Sequence, residues 1–129
     1  MPRSGLEAFS ALWRAYGEGR LGRSLHLVDK DCEITFADGS PAVRGHDGLR
    51  EWLAAARRTW KTLTIVYDEV REERPGCVVG VGGLTASSAD GKQIECAIGF
   101  VAEFADGRLM RGRMFRDRDE AVRYARGDS

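Results

Sequence analysis

Apolar residues recur along the chain at two different spacings, and each change of spacing marks a new element. Leu6, Phe9, Leu12, Trp13 and Tyr16 fall at helical steps and give one apolar face. Ser4 and Glu7 form a capping box in front of that run, each able to satisfy the other's end of a helix. Gly17 to Gly22 ends it. A short helical piece is predicted over Arg23 to Val28, although Leu25, Leu27 and Val28 are not cleanly periodic. Cys32-Glu33-Ile34-Thr35-Phe36 alternates and predicts a strand, broken by the turn residues Asp38-Gly39-Ser40-Pro41. Behind Gly45-His46-Asp47-Gly48, the residues Leu49, Trp52, Leu53, Ala56 and Trp60 return to helical spacing.

From Lys61 to Arg74 the period becomes two, with Leu63, Ile65 and Tyr67 on one face and Thr64, Val66, Asp68 and Val70 on the other. Cys77 to Ala89 and Lys92 to Ala105 predict two long strands joined at the tight turn Asp90-Gly91. Along the second, Ile94, Cys96, Ile98, Phe100, Ala102 and Phe104 share one face, against Glu95, Ala97, Gly99, Val101 and Glu103 on the other. Asp106-Gly107 leads into a further strand, Arg108 to Arg116. Asp117 and Glu120 cap a last short helix over Arg118 to Ala125, which leaves 126–129 as a frayed tail. Gly80, Gly82, Gly83, Gly99 and Gly112 are places where such a sheet can bend without side-chain conflict. Helices gather early and strands late, so the fold class is α+β, in one domain spanning 1–129.

Charge and composition remove several functions. The 129 residues carry 20 Lys and Arg against 20 Asp and Glu, a formal net charge of zero, whereas a reader of duplex nucleic acid needs a concentrated basic footprint. No apolar run approaches the ~18 residues of a spanning helix. The opening Met-Pro-Arg-Ser-Gly-Leu-Glu has no apolar signal stretch, so the cytoplasm is the expected location and no membrane is expected as partner. Cys32, Cys77 and Cys96 are odd in number and lack zinc or redox spacing, which predicts three reduced thiols. His26 and His46 have no neighbouring carboxylate at ligand spacing, so neither a metal nor a cofactor is expected. Gly17, Gly19 and Gly22 match a dinucleotide fingerprint as a string, but they follow a helix rather than a strand.

In sequence order the chain resembles the nuclear transport factor 2 superfamily, the cone fold of SnoaL-like polyketide cyclases and ketosteroid isomerases. The resemblance rests on Tyr16-Gly17-Glu18-Gly19-Arg20, on Val28 to Ile34, on Val43-Arg44-Gly45-His46-Asp47-Gly48-Leu49-Arg50-Glu51-Trp52 and on Asp106-Gly107-Arg108-Leu109-Met110. It implies a curved antiparallel or mixed sheet forming a cone, closed by three helices from the N-terminal half plus a short C-terminal helix. It also implies a homodimer through the outer sheet face.

No catalytic set of these relatives is intact. Where ketosteroid isomerases place a base, a tyrosine and a second acid, this chain has Phe36, Leu12 and Phe100. Where limonene-epoxide hydrolases place an Arg and an Asp on the last strand, it has Arg113 and Met114. The expected function is therefore binding of a small apolar ligand in an aromatic-walled pocket. Trp13, Tyr16, Phe36, Trp52, Ile98, Phe100 and Met114 are the candidate walls. Arg116, on the predicted face of Met114, is the cation at the mouth that would take a carboxylate or enolate. The alternative is an isomerase, cyclase or lyase acting on an apolar carbonyl compound. Its base would be His46, Asp38 or Asp68, with Arg116 holding the oxyanion.

Overall fold

The Ser4 hydroxyl accepts a hydrogen bond from the Glu7 backbone N–H at 3.2 Å, and helix α1 (Gly5–Gly17) begins there as the capping box predicts. The computed structural model describes residues 4–36 and 39–127. Helix α1 buries Ala8, Phe9, Leu12 and Ala15. The chain then makes two 3₁₀ turns, Leu21–Arg23 and Leu25–Leu27, in place of the single short helix expected over Arg23 to Val28. Three side chains explain the tighter winding, because Leu21, Leu25 and Leu27 all reach the core from so short a segment.

Strand β1 (Val28–Phe36) starts four residues before the predicted one, since Lys30 and Asp31 are exposed and hide its alternation. A two-residue strand β2 (Val43–Arg44) pairs antiparallel with it, a piece too short to leave a periodic signal. Helix α2 (Gly45–Thr59) follows, with Trp60 as its C-cap rather than its last turn. Then come β3 (Thr62–Arg74), β4 (Cys77–Ser87), β5 (Gln93–Ala105) and β6 (Arg108–Phe115). Their order across the sheet is β2-β1-β6-β5-β4-β3, with β1 parallel to β6 and the other pairs antiparallel. The sheet is thus mixed, curved and open, with β2 and β3 as its edges. No helix among the described residues is long and apolar enough to cross a membrane.

The alternation read along β5 divides the core in two. Phe100 and Ala102 turn inward to the cluster that holds Phe9, Leu12, Val28, Val78 and Leu109, under α1 and α2. Val101 turns outward to Val79, Val81 and Phe115, where helix α3 (Arg118–Arg126) lays Ala121 and Ala125 on the opposite face. Each large apolar side chain buried this way contributes roughly 1.5–3 kcal/mol. Gly99 makes room for the helix, because a Cβ there would stand 2.4 Å from the Ala121 Cβ. The Asp117 carboxylate caps α3 by accepting from the Glu120 backbone N–H at 3.0 Å. Arg118 to Asp68 at 3.2 Å and Arg126 to Glu73 at 3.3 Å strap its two ends to β3. Arg126 therefore completes the helix instead of opening a frayed tail, while 128–129 lie outside the described residues.

Candidate ligand-binding chamber

Trp13 projects from α1 into the concave side of the sheet and meets four rings. Its centroid lies 5.2 Å from Tyr67, 5.3 Å from Phe100, 5.4 Å from Tyr16 and 6.2 Å from Phe9, all tilted or edge-on. Across from this cluster Phe36 of β1 stacks on Trp52 of α2 at 6.3 Å and 18°. Between the two groups lies a chamber of about 60 Å³, walled by Trp13, Tyr16, Phe36, Trp52, Phe100 and Met114 together with aliphatic side chains from α1, β1 and β6. Phe100 holds its place because its ring rests on Gly112, where a Cβ would come within 2.6 Å of the ring.

Outside the chamber is a wider vestibule of about 270 Å³, bounded by the end of α1, the last turn of α2 and the start of β3. Trp13, Tyr16, Leu21 and Ile65 belong to both walls, so the two spaces adjoin at these four side chains. Arg57 and Lys61 are the charged residues of the vestibule wall, and no carboxylate lines it. Gly17, Gly19 and Gly22, whose spacing mimics a dinucleotide loop, form its rim.

Six of the eight proposed pocket residues thus gather around one space. Ile98 is buried but is not in the chamber wall. Arg116 is exposed and lines neither space, which corrects its placement at the mouth: β6 ends at Phe115, so the alternation carrying Met114 inward stops before reaching it. Among the candidate bases, Asp68 is exposed at an irregularity of β3 and pairs with Arg118. His46 sits at the start of α2, its Nε2–H donating to the Val28 carbonyl at 2.8 Å. Asp38 lies outside the described residues. Arg113 faces outward, stacked on Phe115 and Tyr124 at 5.3 and 5.4 Å. Leu12, Phe36 and Phe100, which stand where the resemblance puts acid and base, all line the chamber. Among the described residues, no three His, Cys, Asp or Glu come together as a metal site would require.

Sequence reasoning missed the polar groups of the aromatic cluster. Trp13 Nε1 and the Tyr67 hydroxyl are buried with no hydrogen-bond partner among the described residues. Burial holds the Tyr67 phenol well above its ordinary pKa, with Tyr16 adding to the rise, and burial raises Tyr16 as well. Both phenols are therefore neutral donors at pH 7. An unsatisfied buried hydroxyl costs about 1–3 kcal/mol, so Tyr67→Phe is expected to leave stability unchanged or raise it by up to ~1 kcal/mol. The phenol pKa is raised on folding, so its stabilisation is complete below the unfolded value near 10 and is lost as pH climbs through the folded one. Melting curves from pH 7 to 11 should show Tyr67→Phe declining less steeply than the parent. A Tyr67→Phe protein that melts well below the parent at pH 7 would mean that the hydroxyl is satisfied.

Solved structures with the same architecture are numerous. A nuclear transport factor 2-like protein from Burkholderia thailandensis E264 is 20% identical over 93% of this chain and 98% of its own, with a TM-score of 0.79. TerC, co-crystallised with polyporic acid, is 19% identical over 96% of this chain and 98% of its own, with a TM-score of 0.78. A Jannaschia sp. CCS1 protein called a SnoaL-like polyketide cyclase is 17% identical over 97% of this chain and 93% of its own, at 0.73. Identities this low establish fold alone. None of the curated proteins matches the sequence. The model of the SnoaL-like domain matches residues 2–112, and with most of the chain covered in a fold of this kind, the protein belongs to the SnoaL-like family of the nuclear transport factor 2 superfamily.

Proposed function

We propose that the protein binds a small, largely apolar molecule between α1, α2 and the inner face of the sheet. The observation that carries this reading is the chamber wall: Leu12, Phe36 and Phe100 make it apolar at the positions where catalytic relatives need acids and bases. The chamber, at about 60 Å³, takes only one end of a ligand, and the vestibule of about 270 Å³ takes the rest. Together they reach the low end of the ~300–1,000 Å³ that ligand sites occupy. The crystallised pairing of TerC with polyporic acid lends support from a protein of the same fold. A second copy docked on the outer sheet face belongs to the same reading.

The competing reading, an isomerase or cyclase, draws on the Jannaschia protein's name and on the phenol Tyr16, which borders both the vestibule and the chamber. With its pKa raised by burial, Tyr16 can donate to a carbonyl but cannot abstract a proton at neutral pH. A thermal-shift panel of aromatic amides, aromatic acids and polyporic acid separates the outcomes. A binder gains roughly 2.7 kcal/mol from a ligand at about 100 times its dissociation constant. The expected result is stabilisation by at least one class, unchanged chemically after incubation and retained in Tyr16→Phe. Turnover that disappears in Tyr16→Phe would replace binding by catalysis, and no stabilisation by any compound would sink both.

A further inference from the structure

We infer that the ligand is an amphiphilic acid, entering apolar end first, whose carboxylate stays in the vestibule between Arg57 and Lys61. The inference rests on the binding reading above and adds the chemical class and the direction of binding. Three observations carry it. The chamber wall contains no charged side chain, so an ion placed there would lose its hydration without compensation. The vestibule, which adjoins the chamber at Trp13, Tyr16, Leu21 and Ile65, carries two cations and no carboxylate. Neither cation is held by an ion pair among the described residues, so no protein carboxylate has to be displaced for a ligand to reach them.

A helix C-terminus favours basic residues in its last turn whatever the helix does, and α2 has both Arg57 and Arg58 there. That general preference does not account for Lys61, which lies beyond the helix, on the same vestibule wall as Arg57. Arg58 does not line the vestibule. It therefore serves as an internal control, with the same charge and the same helix turn but a different direction. An Arg fork suits a planar carboxylate, and a neighbouring Lys adds a second point charge.

The test is titration calorimetry with 4-phenylbutyrate and its uncharged partner 4-phenylbutyramide, on the full chain and on two variants. In the parent at low ionic strength the acid is expected to bind about tenfold tighter than the amide, and the preference shrinks as salt is added. The double variant Arg57→Gln/Lys61→Gln should bring the acid down to the amide's affinity and leave the amide unchanged, and Arg58→Gln should keep the preference. Both substituted side chains are exposed, so folding is expected to survive, and the unchanged amide affinity verifies that it has. An acid that binds no better than the amide overturns the inference and leaves the chamber reading standing. So does a preference that persists without Arg57 and Lys61, or one lost equally in Arg58→Gln. Binding of neither compound overturns both.

Discussion

Phe100→Ala is expected to cost the fold about 3–5 kcal/mol and to lower Tm on the order of 10–20 °C. Phe100 is 3% exposed, meets Trp13 edge-on at 5.3 Å and lies against Gly112, so nothing nearby can collapse into the space it vacates without moving a strand or a helix. It also forms part of the chamber wall. Removing it therefore widens an existing apolar space rather than opening an isolated one, and dry apolar cavities take up small aromatic molecules. The variant should accordingly regain part of its lost Tm in saturating indole, which should shift the parent less. Chemical denaturation with and without indole checks both halves. A loss below about 1 kcal/mol with no rescue would mean that Phe100 is not the packed wall described above.

Gly82→Ala should be about as damaging, for a different reason. A Cβ at this position would stand 1.9 Å from the Val66 carbonyl oxygen and 2.7 Å from the Tyr67 Cα, so the neighbouring backbone itself has to move. Gly82 sits opposite Tyr67, beside the point where the β3–β4 register slips between Tyr67 and Glu69, and the close approach belongs to that irregularity. Pushing β3 away also carries Tyr67 off Phe9 and Trp13, so the expected loss is about 3 kcal/mol or more. Amide exchange along β3 should accelerate before that of β5, because β3 is an edge strand with only β4 to hold it. Gly83→Ala is the control. The nearest atom to its Cβ is the Cys96 carbonyl oxygen at 3.7 Å, and it should change stability by less than about 1 kcal/mol. Equal effects of the two substitutions would contradict the close approach at Gly82.

The long periodic segments were legible because one face of each is buried. The split of Phe100 and Ala102 from Val101 could be read from alternation alone, and the caps at Ser4 and Asp117 from residue chemistry. The parts that could not be read depend on contacts distant in sequence. β2 exists because Val43 and Arg44 pair with Ile34 and Glu33, and two residues carry no period. The start of β1 was hidden because Lys30 and Asp31 face solvent where the strand begins. Six of the chamber residues were recognisable because an aromatic or thioether side chain on an inward face has few other places to go. The vestibule was not recognisable. Its cations lie at the polar end of α2 and just beyond it, where basic residues look like ordinary solvated charge, and only the approach of β3 and the α1 glycine loop turns them into a wall. Arg116 shows the converse error, an alternation extended one residue past the end of its strand.

Whether a ligand occupies the inner chamber can be read from methyl NMR of protein labelled at the methionine ε-carbon and titrated with 4-phenylbutyramide. Met114 lines the chamber, while Met110 on the same strand is 37% exposed and lines neither the chamber nor the vestibule. The Met114 methyl resonance is expected to move with saturation while that of Met110 stays in place. Movement at Met110 with Met114 unchanged would put the ligand elsewhere on the molecule and leave the chamber empty.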